Sequence, residues 1–216
     1  MNPLFITVGV PLALFGALML IARPAEAPGE GHARDYLLKL PGSKWHISSP
    51  ETTRRLKGAY PETVDELSRK WSRVFDTPVS WLRSQAYAES RNVLTAVNAV
   101  TGATGVLQIL PATGRWLVES LRKSAYGGNF EVLTTLKNAW RGHPGDLLNP
   151  DLNIMLAAYY LLLLRKKFGD DHDIVSAAYN MGPSKIAYYI RNGKSLPTAS
   201  RTYITMVHDA KLRGFT

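Results

Sequence analysis

The stretch AYAESRNVLTAV, residues 86–97, places one carboxylate, Glu89, among small and apolar residues beside Ser90 and Arg91. An apolar setting and the C-terminal end of a helix both disfavour the charged form of a carboxylate, through desolvation and the helix dipole. The pKa of Glu89 is therefore expected to be raised, which would make it a proton donor near neutral pH. The alternative is a surface glutamate paired with Arg91 or Arg83, the commoner environment of this residue type.

A glycine-containing segment follows about a dozen residues later, VTGATGVLQILPATG at residues 100–114. Gly102 and Gly105, with small neighbours, predict a tight loop that lets a substrate approach the backbone closely. Gln108 lies within the otherwise apolar residues 106–110. A buried amide needs hydrogen-bond partners, and either the protein or a ligand must supply them.

Helices must position these residues. An amphipathic helix is predicted to start at Pro61, with a buried stripe formed by Val64, Leu67, Trp71 and Val74. Thr77 as N-cap and Pro78 as first residue predict a second helix that runs through the alanines before Glu89. Glu89 is thus expected near the C-terminal end of that helix.

A third helix is predicted to begin at Pro111, and a longer one around the eleven consecutive apolar residues 154–164. That apolar run is too short to span a membrane and predicts a central core helix. Asp151 lies in its first turn, and Gly169 follows residues 165–167 as its C-cap.

Another helix pattern ends with Tyr179 and Asn180, just before Gly182 and Pro183. At a helix end that faces a cleft, these two side chains would suit sugar hydroxyls. They are equally consistent with a core tyrosine and a helix-terminating asparagine. The chain has no strand alternation and no repeat, so the fold class is predicted to be mainly α.

The composition limits the classes of function. The 216 residues are 45% hydrophobic, enough for a sizeable core, and a net charge of +9 favours polyanionic partners. No basic recognition helix or RNA-binding motif is present, so no nucleic-acid partner is expected. The absence of cysteine excludes a disulfide framework and a thiolate nucleophile or metal ligand.

The N-terminus differs from the rest of the chain. Residues 3–22 carry no charge over twenty positions, which predicts a transmembrane helix or signal-anchor within residues 1–23. A cleaved signal peptide is the alternative, with a small-x-small site at residues 25–27. Arg23 and the later basic residues favour, by the positive-inside rule, a cytoplasmic location for the remainder. Residues 24–60 are predicted to form a linker and N-terminal extension, and residues 61–216 the folded domain.

Four sequence blocks occur in a fixed order: ESR at 89–91, GATGVLQILPATG at 102–114, NPDLNIMLAAYYL at 149–161 and AAYNMGP at 177–183. In this order they resemble the lytic transglycosylases with a goose-lysozyme-like, soluble-transglycosylase domain, which cut the glycan strands of peptidoglycan. A weaker fifth block, LPTASRTYI at 196–204, keeps Tyr203 and has Ser200 where the family has threonine. The chain departs from the family in a longer loop after Glu89, with Asn98 or Ala99 in place of a serine, and in extra sequence between Thr113 and Asn149.

The resemblance implies a lysozyme-like helical domain and a reaction with one catalytic residue, Glu89. Glycosidases usually need two carboxylates, yet Asp146 and Asp151 are interpreted as a loop residue and a helix N-terminal charge. In the family a single glutamate protonates the glycosidic oxygen between N-acetylmuramic acid and N-acetylglucosamine. It then acts as base on the muramoyl C6 hydroxyl, leaving a 1,6-anhydromuramoyl end without metal or cofactor. The substrate-binding residues implied are Ser90, Gln108, Asn153, Tyr179, Asn180 and Tyr203, with Tyr179 expected to hydrogen-bond Glu89 or the sugar.

Two alternatives remain at this point: a goose-type lysozyme, in which water replaces the C6 hydroxyl, and a wall-binding protein with a decayed site. The expected partners are peptidoglycan glycan strands, the membrane through residues 3–22, and an envelope or virion assembly. The apolar run and the resemblance together predict a membrane-anchored protein that acts on the periplasmic or cell-wall side, opposite to the cytoplasmic location that the positive-inside rule favours. The alternative location is the virion membrane of a phage, where it would open the wall for genome entry.

Overall fold

The computed structural model describes residues 45–46 and 60–212, and side chains from 63 to 210. The predicted transmembrane segment, residues 1–23, and most of the 24–60 extension lie outside the described residues. Within the described part, no helix combines the length and the apolar character needed to cross a membrane.

Over the described residues the chain forms eight α-helices, one 3₁₀ helix and a two-stranded antiparallel pair. The elements in order are β1 (Trp45–His46), α1 (Tyr60–Phe75), α2 (Val79–Ser90), β2 (Val97–Asn98), α3 (Pro111–Lys123), α4 (Phe130–Ala139), the 3₁₀ helix (Pro144–Leu148), α5 (Pro150–Phe168), α6 (His172–Met181), α7 (Pro183–Arg191) and α8 (Thr198–Leu212). The mainly α class predicted from the sequence is confirmed.

Helix α5 is the centre of the domain, as its apolar run predicts. Its side chains are buried on nearly every face, and α1, α3, α4, α6 and the 3₁₀ helix pack around it. The Asn149 side chain caps its first turn by accepting the Leu152 N–H at 3.0 Å. Its last turn is basic, and Gly169 terminates it with φ of 80°. A helix buried all round needs these end signals, because its apolar pattern alone does not limit it.

The start of α2 differs from the prediction. The N-cap is Pro78 rather than Thr77, and no side chain caps the helix. The Thr77 hydroxyl is buried and donates to the Ala158 carbonyl at 3.1 Å, so it ties the α1–α2 corner to α5. A tertiary acceptor has therefore replaced the local capping bond that the sequence pattern suggests.

Two elements were not expected in detail from the sequence. The β1–β2 pair joins Trp45 to Asn98 and His46 to Val97, in strands of two residues each, too short to show alternation. The extra sequence between Thr113 and Asn149 contains α4, which is capped by Asn129 and packs on α5.

Helices α2, α6 and α8 form the part of the domain that carries the site. Helix α8 packs against both α2 and α6. Trp81 and Glu89 mark the two ends of α2, and α8 runs antiparallel to it, because Tyr203 near its start contacts Glu89. The catalytic candidate is thus placed by two helices that are far apart in sequence.

Candidate active site

Glu89 is the penultimate residue of α2, as predicted, and its side chain is partly accessible to solvent. The helix stops because Arg91 and Asn92 adopt left-handed backbone conformations, with φ of 56° and 62°. The Arg91 N–H bonds the Tyr87 carbonyl at 2.9 Å, and the Asn92 N–H bonds Ala86 at 3.3 Å. These bonds satisfy carbonyls of the last turn and fix where the carboxylate is presented.

Tyr203 of α8 is the hydrogen-bond partner of Glu89. Its hydroxyl donates to Glu89 Oε1 at 2.6 Å, across 114 residues of sequence. The tyrosine is buried and packs with Ala88 and Val207 beneath the carboxylate. The predicted substrate-binding residue Tyr203 therefore contacts the catalytic candidate itself.

Burial raises the pKa of Glu89 to about 7, and the hydrogen bond from Tyr203 acts in the opposite direction by favouring the charged form. The expectation of a raised pKa is confirmed, with desolvation as the main cause. Burial also raises the pKa of Tyr179 and of Tyr203 well above 10, and the nearby Glu89 carboxylate adds to that shift. Both phenols therefore stay protonated and act as donors.

The surface ion pair considered for Glu89 does not form. Arg83 pairs with Asp65 of α1 instead. Arg91 turns back along α2, where its guanidinium donates to the Tyr87 carbonyl at 3.0 Å and lies 4.6 Å from the centre of the Tyr87 ring. Glu89 is thus left in the environment of a proton donor rather than that of a structural ion pair.

Tyr179 does not make the bond to Glu89 that the sequence suggested. Its hydroxyl donates to the Leu107 carbonyl at 2.9 Å. It still lies close enough to Glu89 for the two groups to interact electrostatically. Tyr179 therefore holds the glycine-containing loop against α6, while Tyr203 holds the carboxylate. Asn180, the next residue, is half-buried and lies two residues before the helix-ending Gly182.

Gln108 lies in the loop between α2 and α3, in a left-handed conformation with φ of 47°. Its amide nitrogen donates to the Ala96 and Gly105 carbonyls at 3.1 and 2.7 Å. Its buried Oε1 has no hydrogen-bond partner in the described part of the chain. The protein thus uses the donor end of this amide and leaves the acceptor end open.

Two predicted substrate-binding residues are instead structural supports. Asn153 is fully buried on α5; its Oδ1 accepts the Leu107 N–H at 2.9 Å, and its Nδ2 donates to the Thr104 and Leu147 carbonyls at 2.9 and 3.0 Å. Ser90 is also buried, and its hydroxyl donates to the Val106 carbonyl at 2.7 Å. The polar atoms of both side chains thus make hydrogen bonds to the backbone of the loop and of the 3₁₀ helix.

Gly105 shows how tightly the loop packs on Asn153. It has φ of 80°, and a Cβ built on it would lie 2.6 Å from Asn153 Cγ. A glycine is therefore required here both for its conformation and for space. Asn98, which stands in the region of the family's serine, accepts the N–H groups of Val100 and Thr101 at 3.0 and 3.1 Å. Its side-chain oxygen shapes the loop.

An aromatic series leads away from Glu89 toward the surface. The ring of Tyr160 lies 5.3 Å from that of Tyr179, and the ring of Trp116 lies 6.2 Å from that of Tyr160. Trp116 is 44% exposed on α3. Trp116 lies in the helix that was predicted to begin at Pro111 and was not predicted as a site residue, although a tryptophan on an otherwise amphipathic helix is a signal that could have indicated it.

A second catalytic carboxylate is not supplied by the two acids considered. Asp151 accepts bonds from Lys70, from the Trp71 indole at 2.9 Å and from Thr135 at 2.7 Å. Asp146 accepts the Arg141 and His143 N–H groups at the start of the 3₁₀ helix. Both act as the structural charges expected of them.

Comparison with known proteins identifies the family. The transglycosylase SLT domain matches residues 66–201, more than half of the chain, and the chain belongs to this family. The soluble lytic murein transglycosylases of Salmonella typhimurium and Escherichia coli K12 are 27% and 26% identical to it over 173 residues. That match covers 74% of this chain and 24% of each relative, so the chain spans about a quarter of their length.

The crystal structure of the 70 kDa soluble lytic transglycosylase from Escherichia coli resembles the domain with a TM-score of 0.58 and 26% identity. The superposition covers 74% of this chain and 25% of that protein. It confirms the mainly helical, lysozyme-like domain expected from the sequence blocks.

Proposed function

We propose that this protein is a peptidoglycan lytic transglycosylase, with Glu89 as its only catalytic carboxyl group. The observation that carries the proposal is the position of Glu89 at the end of α2, where burial raises its pKa to about 7 against the opposing hydrogen bond from Tyr203 and the residue is still partly accessible. Family membership and the murein transglycosylase relatives supply the substrate class.

The first step is general-acid catalysis. The protonated Glu89 carboxyl donates its proton to the glycosidic oxygen that links C1 of N-acetylmuramic acid to N-acetylglucosamine, and the C1–O bond breaks. The substrate's own acetamido group supports the positive charge at C1 from the other face, as in substrate-assisted glycosidases. Such assistance accounts for a site with one carboxylate, since Asp146 and Asp151 are bound elsewhere.

The second step uses the same residue as a base. The Glu89 carboxylate accepts the proton of the muramoyl C6 hydroxyl, whose oxygen attacks C1 and forms the 1,6-anhydro bridge. No water is consumed, and the carboxyl returns to its protonated form. The Tyr203 hydrogen bond stabilises the carboxylate between the steps, because a donor at 2.6 Å favours the charged form.

The groove is proposed to run along the glycine-containing loop and the aromatic series. Gln108 Oε1, which lacks a protein partner in the described chain, would accept from a substrate N–H or hydroxyl. Tyr179 and Asn180 border the same region, and Trp116 offers an exposed ring on which a sugar face can stack.

Product analysis tests the proposal. Mass spectrometry of muropeptides released from purified peptidoglycan by the full chain should show 1,6-anhydromuramoyl ends, and Glu89→Gln should abolish them. Glu66→Gln, which alters an exposed glutamate of α1, is the matched control and should retain activity. Reducing ends would assign a goose-type lysozyme reaction instead. Release by neither the wild type nor the control would favour the wall-binding alternative.

We also propose that the uncharged residues 3–22 hold the domain at a membrane, so that it acts on the nearby wall within a bacterial envelope or a phage particle. The support is the length of that run and the net charge of +9, which suits an anionic wall.

A further inference from the structure

A second cluster of chemically capable side chains lies at the end of the α2–α6–α8 group that is remote from Glu89. His172 and Asp173 begin α6, and His208 lies in the second half of α8. One ligand atom from each residue lies within 4.8 Å of the other two. We propose that this group, the His–Asp cluster, is a binding site for a divalent transition metal ion of the zinc type.

The donor set fits such an ion. Imidazole nitrogen and carboxylate oxygen are ordinary ligands of Zn²⁺, and two histidines with one carboxylate leave a fourth position for water. Zinc bonds to these atoms are roughly 2.0–2.2 Å long, which places neighbouring ligand atoms of a tetrahedral site roughly 3.3 Å apart. The present separations of up to 4.8 Å therefore require only side-chain adjustment. Asp173 and His208 are 53% and 45% exposed and have room to make it.

Part of the cluster is already held in place. The His172 ring stacks on Trp81 of α2, with ring centres 4.3 Å apart and an angle of 24°. Its ring centre lies 5.7 Å from that of His208, edge to face. His208 Nε2 also lies 2.6 Å from Asp173 Oδ1. A His208–Asp173 ion pair accounts for two of the three residues, and the stack on Trp81 places the third donor beside them.

Negative charge lies close to the cluster. Asp171 caps α6 and adds negative charge at the same helix end. Arg165, whose guanidinium lies 5.7 Å from the centre of the Trp81 ring, is bound to Asp170 at 2.6 Å. Asp170 and Asp171 are both bound to groups outside the cluster's ligand atoms. Asp170 binds Arg165, and the Asp171 side chain accepts the Asp173 and Ile174 N–H groups.

The metal site would have a structural role, and the proposal for it does not depend on the proposed function. It would join α6 to α8 about five residues from Tyr203, roughly 8 Å along the helix axis. Chemistry at Glu89 requires no metal, so the loss of metal binding and the loss of catalysis can be observed separately.

Isothermal titration of the untagged, metal-stripped full chain with Zn²⁺ tests the site. We expect one ion bound per chain with micromolar affinity. Asp173→Asn and His208→Ala should each weaken binding by roughly 10- to 100-fold, as expected for loss of a metal ligand. The matched control is His143→Ala, since this exposed histidine lies in the 3₁₀-helix region and outside the cluster.

Thermal unfolding gives a second readout that does not depend on heat of binding. Zn²⁺ should raise the midpoint of the wild type and of His143→Ala, because a ligand that binds the folded state stabilises it. The midpoints of Asp173→Asn and His208→Ala should not respond. The proposal is overturned if the wild type binds no stoichiometric zinc, or if the control variant loses binding as the cluster variants do.

Discussion

At the scale of single residues, the chemistry depends on two opposing effects on one carboxyl group. Burial raises the pKa of Glu89, and the hydrogen bond from Tyr203 lowers it, with a net value of about 7. A group that must first donate and then accept a proton works best when its pKa is near the operating pH. Tyr203 thus lowers the pKa of Glu89 as well as fixing the position of its carboxyl group.

Replacement of Tyr203 by phenylalanine should move the pH profile in a defined direction. Without the donor, the charged form of Glu89 is less stable, so the pKa of Glu89 rises above 7. The alkaline limb of kcat/KM should shift to higher pH. Above that limb, kcat/KM should still fall about tenfold for each further pH unit. The measurement is the pH dependence of muropeptide release.

Tyr188→Phe is the control for that experiment, because Tyr188 is an exposed residue of α7 whose hydroxyl bonds Lys194. It should leave the limb where the wild type has it. An unchanged limb in Tyr203→Phe would mean that the tyrosine only packs beneath the carboxylate and has no effect on its protonation.

At the scale of elements, local signals predicted most of the helices and long-range contacts decided the site. Residues 154–164 and Gly169 were enough to place α5, and the ESR block was enough to place Glu89 at a helix end. Tyr179 was predicted to hydrogen-bond Glu89 or the sugar, but the protein partner of Glu89 is Tyr203, since hydrogen bonding across 114 residues depends on how α8 packs. The two-residue strands have no periodicity to detect.

Asn153 is a second case in which the sequence could not predict a long-range contact. Its position in a motif does not indicate whether its polar side chain faces a groove or the core. Its three bonds fix the loop and the 3₁₀ helix on α5. Asn153→Ala should lower the free energy of unfolding by about 2–4 kcal/mol, since the buried Leu107 N–H and the Leu147 carbonyl lose their bonds to Asn153, while the Thr104 carbonyl keeps only the Ile109 N–H. Urea unfolding provides the measurement.

The control is Asn138→Ala, which removes the same side chain from an exposed position of α4. Its free energy of unfolding should stay within about 0.5 kcal/mol of the wild type, as is usual for surface substitutions. If Asn153→Ala behaved like this control, Asn153 would not be the structural support that its contacts indicate. The predicted role in substrate binding would then be favoured.

At the scale of the whole molecule, a carboxyl with a raised pKa makes the folded state less stable as pH rises. Below about pH 4.5 Glu89 is protonated in both folded and unfolded chains, so it has no effect on stability. Between 4.5 and about 7 the unfolded chain releases the proton first, which favours unfolding. Above about 7 the full penalty is present, and the shift corresponds to roughly 3 kcal/mol as an upper value.

Glu89→Gln removes this penalty while it keeps an oxygen that can accept the Tyr203 hydrogen bond. The variant should therefore be more stable than the wild type at pH 8, by up to roughly 3 kcal/mol, and nearly equal to it at pH 4. Urea unfolding across this pH range checks the difference, with the exposed Glu119→Gln expected to follow the wild type throughout. A gain that is the same at every pH would indicate that packing rather than ionisation sets the effect. A gain confined to high pH would show that the domain gives up stability to keep a proton donor at its catalytic position.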